Sequence, residues 1–83
     1  MYYLYILKSL KDHDLYIGYT SDLKRRFQEH NEGKNKSTKY RTPFELIYYE
    51  AYKDKSDAKK RECNLKLRSR AYSQLKKRIE GCL

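Results

Sequence analysis

The 83-residue sequence predicts a small α+β domain: a mixed, mostly antiparallel three-stranded sheet flanked by helices, in the order β-β-α-β-α-α. Three observations predict it. Two short tyrosine-rich apolar runs, YYLYILK (residues 2–8) and LYIGYT (15–20), stand close enough to pair as a hairpin. A third such run, FELIYYEAY (44–52), follows Pro43. From Ser56 onward, apolar residues recur at helical spacing.

The first run is apolar at odd and even positions alike, which predicts a central strand covered on both faces. SLKDHD is polar and turn-like. In the second run Gly18 contributes no side chain, and a glycine inside a strand marks a bulge or a close backbone approach. Ser21 or Asp22 then caps a helix to about Glu32, with Gly33 as its stop. KNKSTKYRTP (34–43) holds four cations and no acid, and reads as an exposed loop. Ser56 starts a second helix, and Ser69 to Gly81 gives a third through Ala71, Leu75 and Ile79. One domain, residues 1–83, is expected.

Twenty Lys and Arg against eleven Asp and Glu leave a net charge of +9, which favours polyanionic partners. Nucleic acid comes first among them and an anionic membrane surface second. Cys63 and Cys82, with only two histidines, supply neither a disulfide framework nor a structural zinc site. The N-terminus lacks the basic lead and cleavage site of a signal peptide, and no apolar run reaches membrane-span length. A cytoplasmic monomer with reduced thiols is expected, with no membrane partner and no small-molecule cofactor.

On a helical wheel with Leu23 at zero, Phe27 falls near about 40°, His30 near 340° and Arg26 near 300°. Lys24, Arg25, Gln28 and Glu29 occupy the opposite, solvated side. Arg26 and His30 therefore border the stripe that packs, and a guanidinium held there needs an acceptor from the protein or from a ligand. On the second helix Glu62 falls within the stripe of Ala58 and Leu65, and Ser69 joins it beyond. The simplest account is a partly buried Arg26–Glu62 ion pair beside a packing histidine. The alternative sets both charges around a shared anion and metal.

YYLYIL followed by LYIGYTSDLKRRFQEHNEG resembles the GIY-YIG nuclease superfamily, and most of all its short stand-alone bacterial members related to the N-terminal domain of the excision-repair endonuclease. The likeness runs from Tyr2 to about Lys66, and the paired tyrosine motifs with an arginine ten residues after the second tyrosine carry it. It places the first motif at Tyr3-Leu4-Tyr5, with Tyr3 where the family has glycine, and the second at Tyr16-Ile17-Gly18. It implies Tyr5, Tyr16, Arg26 and His30 as catalytic residues and Glu62 as the metal ligand. Tyr19 stands where some members carry lysine, and Gln74 or Asn64 is nearest to the asparagine found in several nucleases.

The activity so implied is metal-dependent endonucleolytic cleavage of DNA, in repair or recombination. One Mg²⁺ or Mn²⁺ held by Glu62 would act as Lewis acid. Arg26 would grip the non-bridging oxygens, and Tyr5, Tyr16 or His30 would orient or deprotonate the water. Lys34, Lys36, Lys39 and Arg41 would bind the backbone, with Tyr40 free to stack and Lys76, Lys77 and Arg78 adding charge. Tyr2, Tyr3, Tyr48, Tyr49 and Tyr52 read mostly as structural. A nucleic-acid-binding module that cleaves nothing, and a protein-interaction domain, are the competing readings.

Overall fold

A computed structural model describes every residue of the chain except Ser69. Strands β1 (Tyr2–Ser9), β2 (Leu15–Thr20) and β3 (Phe44–Tyr52) form one sheet in the order β2-β1-β3. Both pairings are antiparallel, so the sheet is antiparallel throughout and not mixed. The reason lies in the return path. β2 finishes where Thr20 faces Tyr3, and the chain between β2 and β3 travels back along the sheet to set Phe44 opposite Ser9. β2 and β3 thus run in the same direction, but β1 always separates them.

β1 is central, and Leu4, Tyr5, Ile6 and Leu7 are buried. The two-residue alternation of a strand divides them between two cores. Leu4 and Ile6 join Leu15, Ile17, Leu65, Tyr72, Leu75 and Ile79 on one face. Tyr5 and Leu7 join Phe44 on the other, with Tyr16, Leu23, Phe27 and Leu46 packed around them. A bulge in β3 opposite Ile6 and Leu7 lets Leu46 serve the second core while Ile47 and Tyr48 serve the first.

Helix α1 (Leu23–Asn31) covers the Tyr5 face. Asp22 caps it by accepting the Arg25 N–H at 3.1 Å, and Gly33 takes the left-handed conformation (φ 73°) just past its end. Helices α2 (Lys55–Lys66) and α3 (Arg70–Arg78) cover the other face, and a short 3-10 turn over Glu80–Cys82 follows. α2 begins one residue earlier than expected, because the Asp54 carboxylate and not Ser56 is the cap, accepting the Ser56 N–H at 2.7 Å. The expected start of the third helix at Ser69 lies outside the described residues. Its regular part ends at Arg78, short of Gly81. Among the described residues, no helix is long and apolar enough to cross a membrane.

α2 is pinned to the sheet edge by charge. Glu50 of β3 accepts from Arg61 Nε (3.0 Å) and Nη2 (3.2 Å), from the Tyr48 hydroxyl (2.6 Å) and from the Tyr52 hydroxyl. Burial alone would raise the Glu50 carboxyl, but these donors outweigh it and hold it below the usual range. The clamp fixes the rotation of α2, and so the direction of Glu62 beside Arg61.

The segment 34–43 is not the fully exposed loop that its composition suggests. Asn31 clasps the backbone of Phe44, donating to its carbonyl at 3.2 Å and accepting its N–H at 2.6 Å. The Ser9 hydroxyl donates to the Arg41 carbonyl, and Thr38 is buried. Lys34, Lys36, Ser37, Lys39, Tyr40 and Pro43 face solvent, while Arg41 is half-buried.

Candidate functional site

The site is built around Tyr5. Its ring lies across Gly18, the residue paired with it on β2. A methyl group at Gly18 would stand 2.6 Å from the Tyr5 hydroxyl and 2.7 Å from Cζ, too close for either to remain. The register of β1 and β2 is unbroken here, so the glycine marks a close approach and not a bulge.

His30 reaches the same hydroxyl from α1. Its Nε2 lies 3.0 Å from the Tyr5 oxygen and its Nδ1 2.9 Å from Thr38 Oγ1. With the Thr38 hydroxyl donating to the Asn35 carbonyl (3.5 Å), the network assigns the proton to Nδ1 and leaves Nε2 to accept from Tyr5. The Tyr16 ring meets the imidazole edge-on at 4.9 Å and stands 6.4 Å from the Tyr5 ring. Burial, and then the Arg26 charge, pushes the His30 imidazole down to about 4. Burial, helped by Tyr16, pushes the Tyr5 phenol up to about 12. Both are neutral at pH 7. His30 is fully enclosed, and its two ring nitrogens face Tyr5 and Thr38.

Arg26 sits at the rim with a third of its side chain exposed, its Nη1 3.3 Å from Glu29 Oε1. Burial works against its charge, but the Tyr5 hydroxyl and the Glu29 carboxylate outweigh that effect and raise its pKa. Glu29 belongs to this rim and not to the solvated side, since one wheel step of about 60° separates it from Arg26. The expected Arg26–Glu62 pair does not form. Glu62, largely covered on α2, binds Lys66 Nζ at 3.2 Å instead. Its carboxylate still lies near enough to act on the Tyr5 hydroxyl. Around Tyr5 of β1, then, stand His30 and Arg26 from α1 and the Tyr16 ring from β2, while Glu62 of α2 lies close enough for its charge to be felt at the phenol.

The basic loop is less free than its sequence suggests. Arg41 Nε is bound to Asp12 at 2.7 Å, and that hydrogen bond holds the Asp12 carboxyl down at about 2. Lys34 pairs with Glu32 at 3.2 Å, and Lys39 lies over the Tyr40 ring at 4.8 Å. Lys36 forms no ion pair among the described residues, and Tyr40 is exposed. Lys76 lies over the Tyr72 ring. Sequence reasoning missed Thr38, Glu29 and the Glu50–Arg61 clamp. Only the clamp had a usable signal, an acid and a base on elements already expected to adjoin.

The donor set bears on which metal could be held. Among the described residues no three His, Cys, Asp or Glu side chains gather, so Glu62 stands as a single carboxylate. One protein carboxylate suits a hard ion that keeps water and takes phosphate oxygens, as Mg²⁺ does, and not zinc. The residues fit such an ion on those terms.

Comparison with known proteins bears on the family and the fold. The family model of the GIY-YIG catalytic domain matches residues 1–78. The UPF0213 protein of Staphylococcus saprophyticus is 46% identical over 70 residues, covering 83% of this chain and 84% of that one. A UPF0213 protein of Streptococcus pyogenes is 46% identical over 67 residues, covering 80% and 72%. The solution NMR structure of a UPF0213 protein from Bacillus halodurans aligns with a TM-score of 0.54 at 39% identity, covering 90% of this chain and 81% of that one.

Proposed function

We propose a phosphodiester-cleaving function for this chain, which belongs to the GIY-YIG catalytic-domain family and so to a nuclease superfamily: a metal-dependent endonuclease acting on DNA. The observation that supports the reading is the grouping of Tyr16, Arg26 and His30 around Tyr5, with the Glu62 charge near enough to act on its hydroxyl. Two charged groups of opposite sign beside a pair of phenols suit a reaction that must neutralise a phosphate and position a water.

Glu62 would hold a single Mg²⁺ or Mn²⁺, exchanging its exposed partner Lys66 for it. That ion, when bound, supplies Lewis-acid polarisation of a phosphoryl oxygen. Arg26, released from Glu29, lays its planar fork on the non-bridging oxygens. Tyr16, the more exposed phenol, orients the attacking water. Tyr5 stays protonated and anchors the cluster through His30. Branched or damaged DNA, as met in repair or recombination, is the substrate class of this proposal, and a monomer suffices for it.

A module that binds nucleic acid without cutting it is the second reading, because Arg26 and Glu62 each already hold a partner. One experiment separates the two. Nicked and branched duplexes are incubated with Mg²⁺ and the protein, beside folded Glu62→Ala and Arg26→Ala variants. The endonuclease cuts at least one substrate, and each substitution lowers the rate by about a hundredfold or more. Cleavage that survives both, or none on any substrate, ends the proposal. Salt-sensitive binding without cutting selects the module.

A further inference from the structure

On the same face of the sheet as Tyr5, but toward β3, a hollow of about 500 Å³ opens between the strands and the first half of α1. That volume lies within the range of sites for small organic groups. Its floor and walls are Leu46, Phe27 and two tyrosines, Tyr3 and Tyr49. Tyr49 is the direct cross-strand partner of Tyr5, and Tyr3 lies one pleat repeat, about 7 Å, along β1 from it. The hollow therefore adjoins the catalytic cluster.

The two rings meet edge to face, with centroids 6.0 Å apart and planes at 67°. Tyr49 is 53% exposed. Three tyrosines of this sheet are committed, Tyr48 and Tyr52 donating to Glu50 and Tyr5 to His30. Among the described residues, neither the Tyr3 nor the Tyr49 hydroxyl has a hydrogen-bond partner, so nothing in the fold uses them. The rim is charged. The Asp22 carboxylate is met by the Arg25 N–H and lies 4.0 Å from the Arg25 guanidinium. Lys24 forms no ion pair among the described residues, and it leaves a positive charge at the mouth.

We propose that this hollow is a subsite for one unpaired nucleobase of the substrate, stacked on the exposed Tyr49 ring and bounded by the Tyr3 ring set at an angle to it, with its phosphate toward Lys24. Open aromatic faces beside a cationic rim are how single-stranded nucleic acid is held, and a base still paired in a duplex cannot present its face to them. The inference rests on the nuclease reading above and narrows its substrate. DNA with an unpaired nucleotide beside the scissile bond is preferred over a continuous duplex. Tyr3, which stands where the family motif has glycine, then contributes to specificity.

The test reads binding alone, with Glu62→Ala protein and no divalent ion, so that cutting plays no part. The probes are a DNA duplex with a short 2-aminopurine-containing flap and the same duplex fully paired. Stacking quenches the flap fluorescence. Tyr49→Ala and Tyr3→Ala each weaken flap binding about tenfold or more and remove the quench, while duplex binding holds and Tyr49→Phe behaves as the parent. Tyr49 lies exposed at the rim, so its substitution remains readable should Tyr3→Ala fold poorly. Equal weakening on both probes, or no effect on either, overturns the subsite and leaves the endonuclease standing. No affinity for either probe at low salt overturns both, whereas intact flap binding in a protein that never cuts overturns only the endonuclease.

Discussion

The Tyr5 hydroxyl and His30 Nε2 lie 3.0 Å apart, and both side chains are buried. A neutral imidazole with both nitrogens matched ties stability to pH. The unfolded chain takes up a proton on His30 near pH 6.5, whereas the folded chain resists until about 4. Between those values the unfolded state binds more protons, so stability is complete above the window and falls as pH drops through it. From pH 7 to pH 5 the loss attributable to His30 should be about 2 kcal/mol. Urea denaturation at both pH values should show this slope in the parent and a flatter one in His30→Gln. Equal slopes would place the protonation elsewhere.

Gly18 governs the same cluster from below. A Cβ there meets the Tyr5 hydroxyl and Cζ, not a flexible tip. Gly18→Ala should therefore cost about 1–3 kcal/mol, the usual penalty of overpacking. It should also displace Tyr5 and suppress cleavage. In a Tyr5→Ala background the obstacle is absent, and the cost of Gly18→Ala should largely vanish. A double-mutant cycle by chemical denaturation reads this directly. An unchanged cost in the second background would mean that the glycine serves the backbone and not the ring.

The elements and the stripe were legible because each rests on a short-range pattern. β1 is apolar on both faces because it is central, and the wheel placed Arg26 and His30 at the packed border where they lie. What could not be read was the choice of partner. The wheel set Glu29 on the solvated side and left Glu62 as the partner of Arg26, whereas a rim geometry of one helical turn decided for Glu29. Thr38 is a polar residue in a polar, basic segment, and no periodicity distinguishes it. Its burial follows only once Asn31 and Ser9 have stitched the loop to the sheet. Tyr3 and Tyr49 read as core for the same reason that Tyr48 does, and only the bulged register of β3 and the open hollow separate them.

The loop cations should divide by what they already hold. Lys36 and Lys39 carry charge into solvent, and each should contribute about 0.9 to the salt slope of duplex binding, lost in Lys36→Ala and Lys39→Ala. Arg41 is bound to Asp12 and lies over the Phe44 ring at 5.5 Å. Arg41→Ala should lower the melting temperature and change the salt slope little. A large slope change at Arg41 with no thermal shift would mean that the Asp12 pair opens for the substrate.

Arg26 must exchange Glu29 for phosphate if it is to grip the substrate. A half-exposed pair three residues apart is worth up to about 1 kcal/mol, so releasing it should strengthen nucleic-acid binding by no more than about fivefold. Glu29→Gln should show that modest gain and retain cleavage. Arg26→Lys keeps the charge but loses the planar fork, and should lower cleavage by about tenfold or more with a smaller effect on binding. The two variants together test whether Glu29 is a placeholder. If Glu29→Gln abolishes cleavage while Arg26→Lys is tolerated, the carboxylate at position 29 takes part in the chemistry, and the roles assigned to the rim must be exchanged.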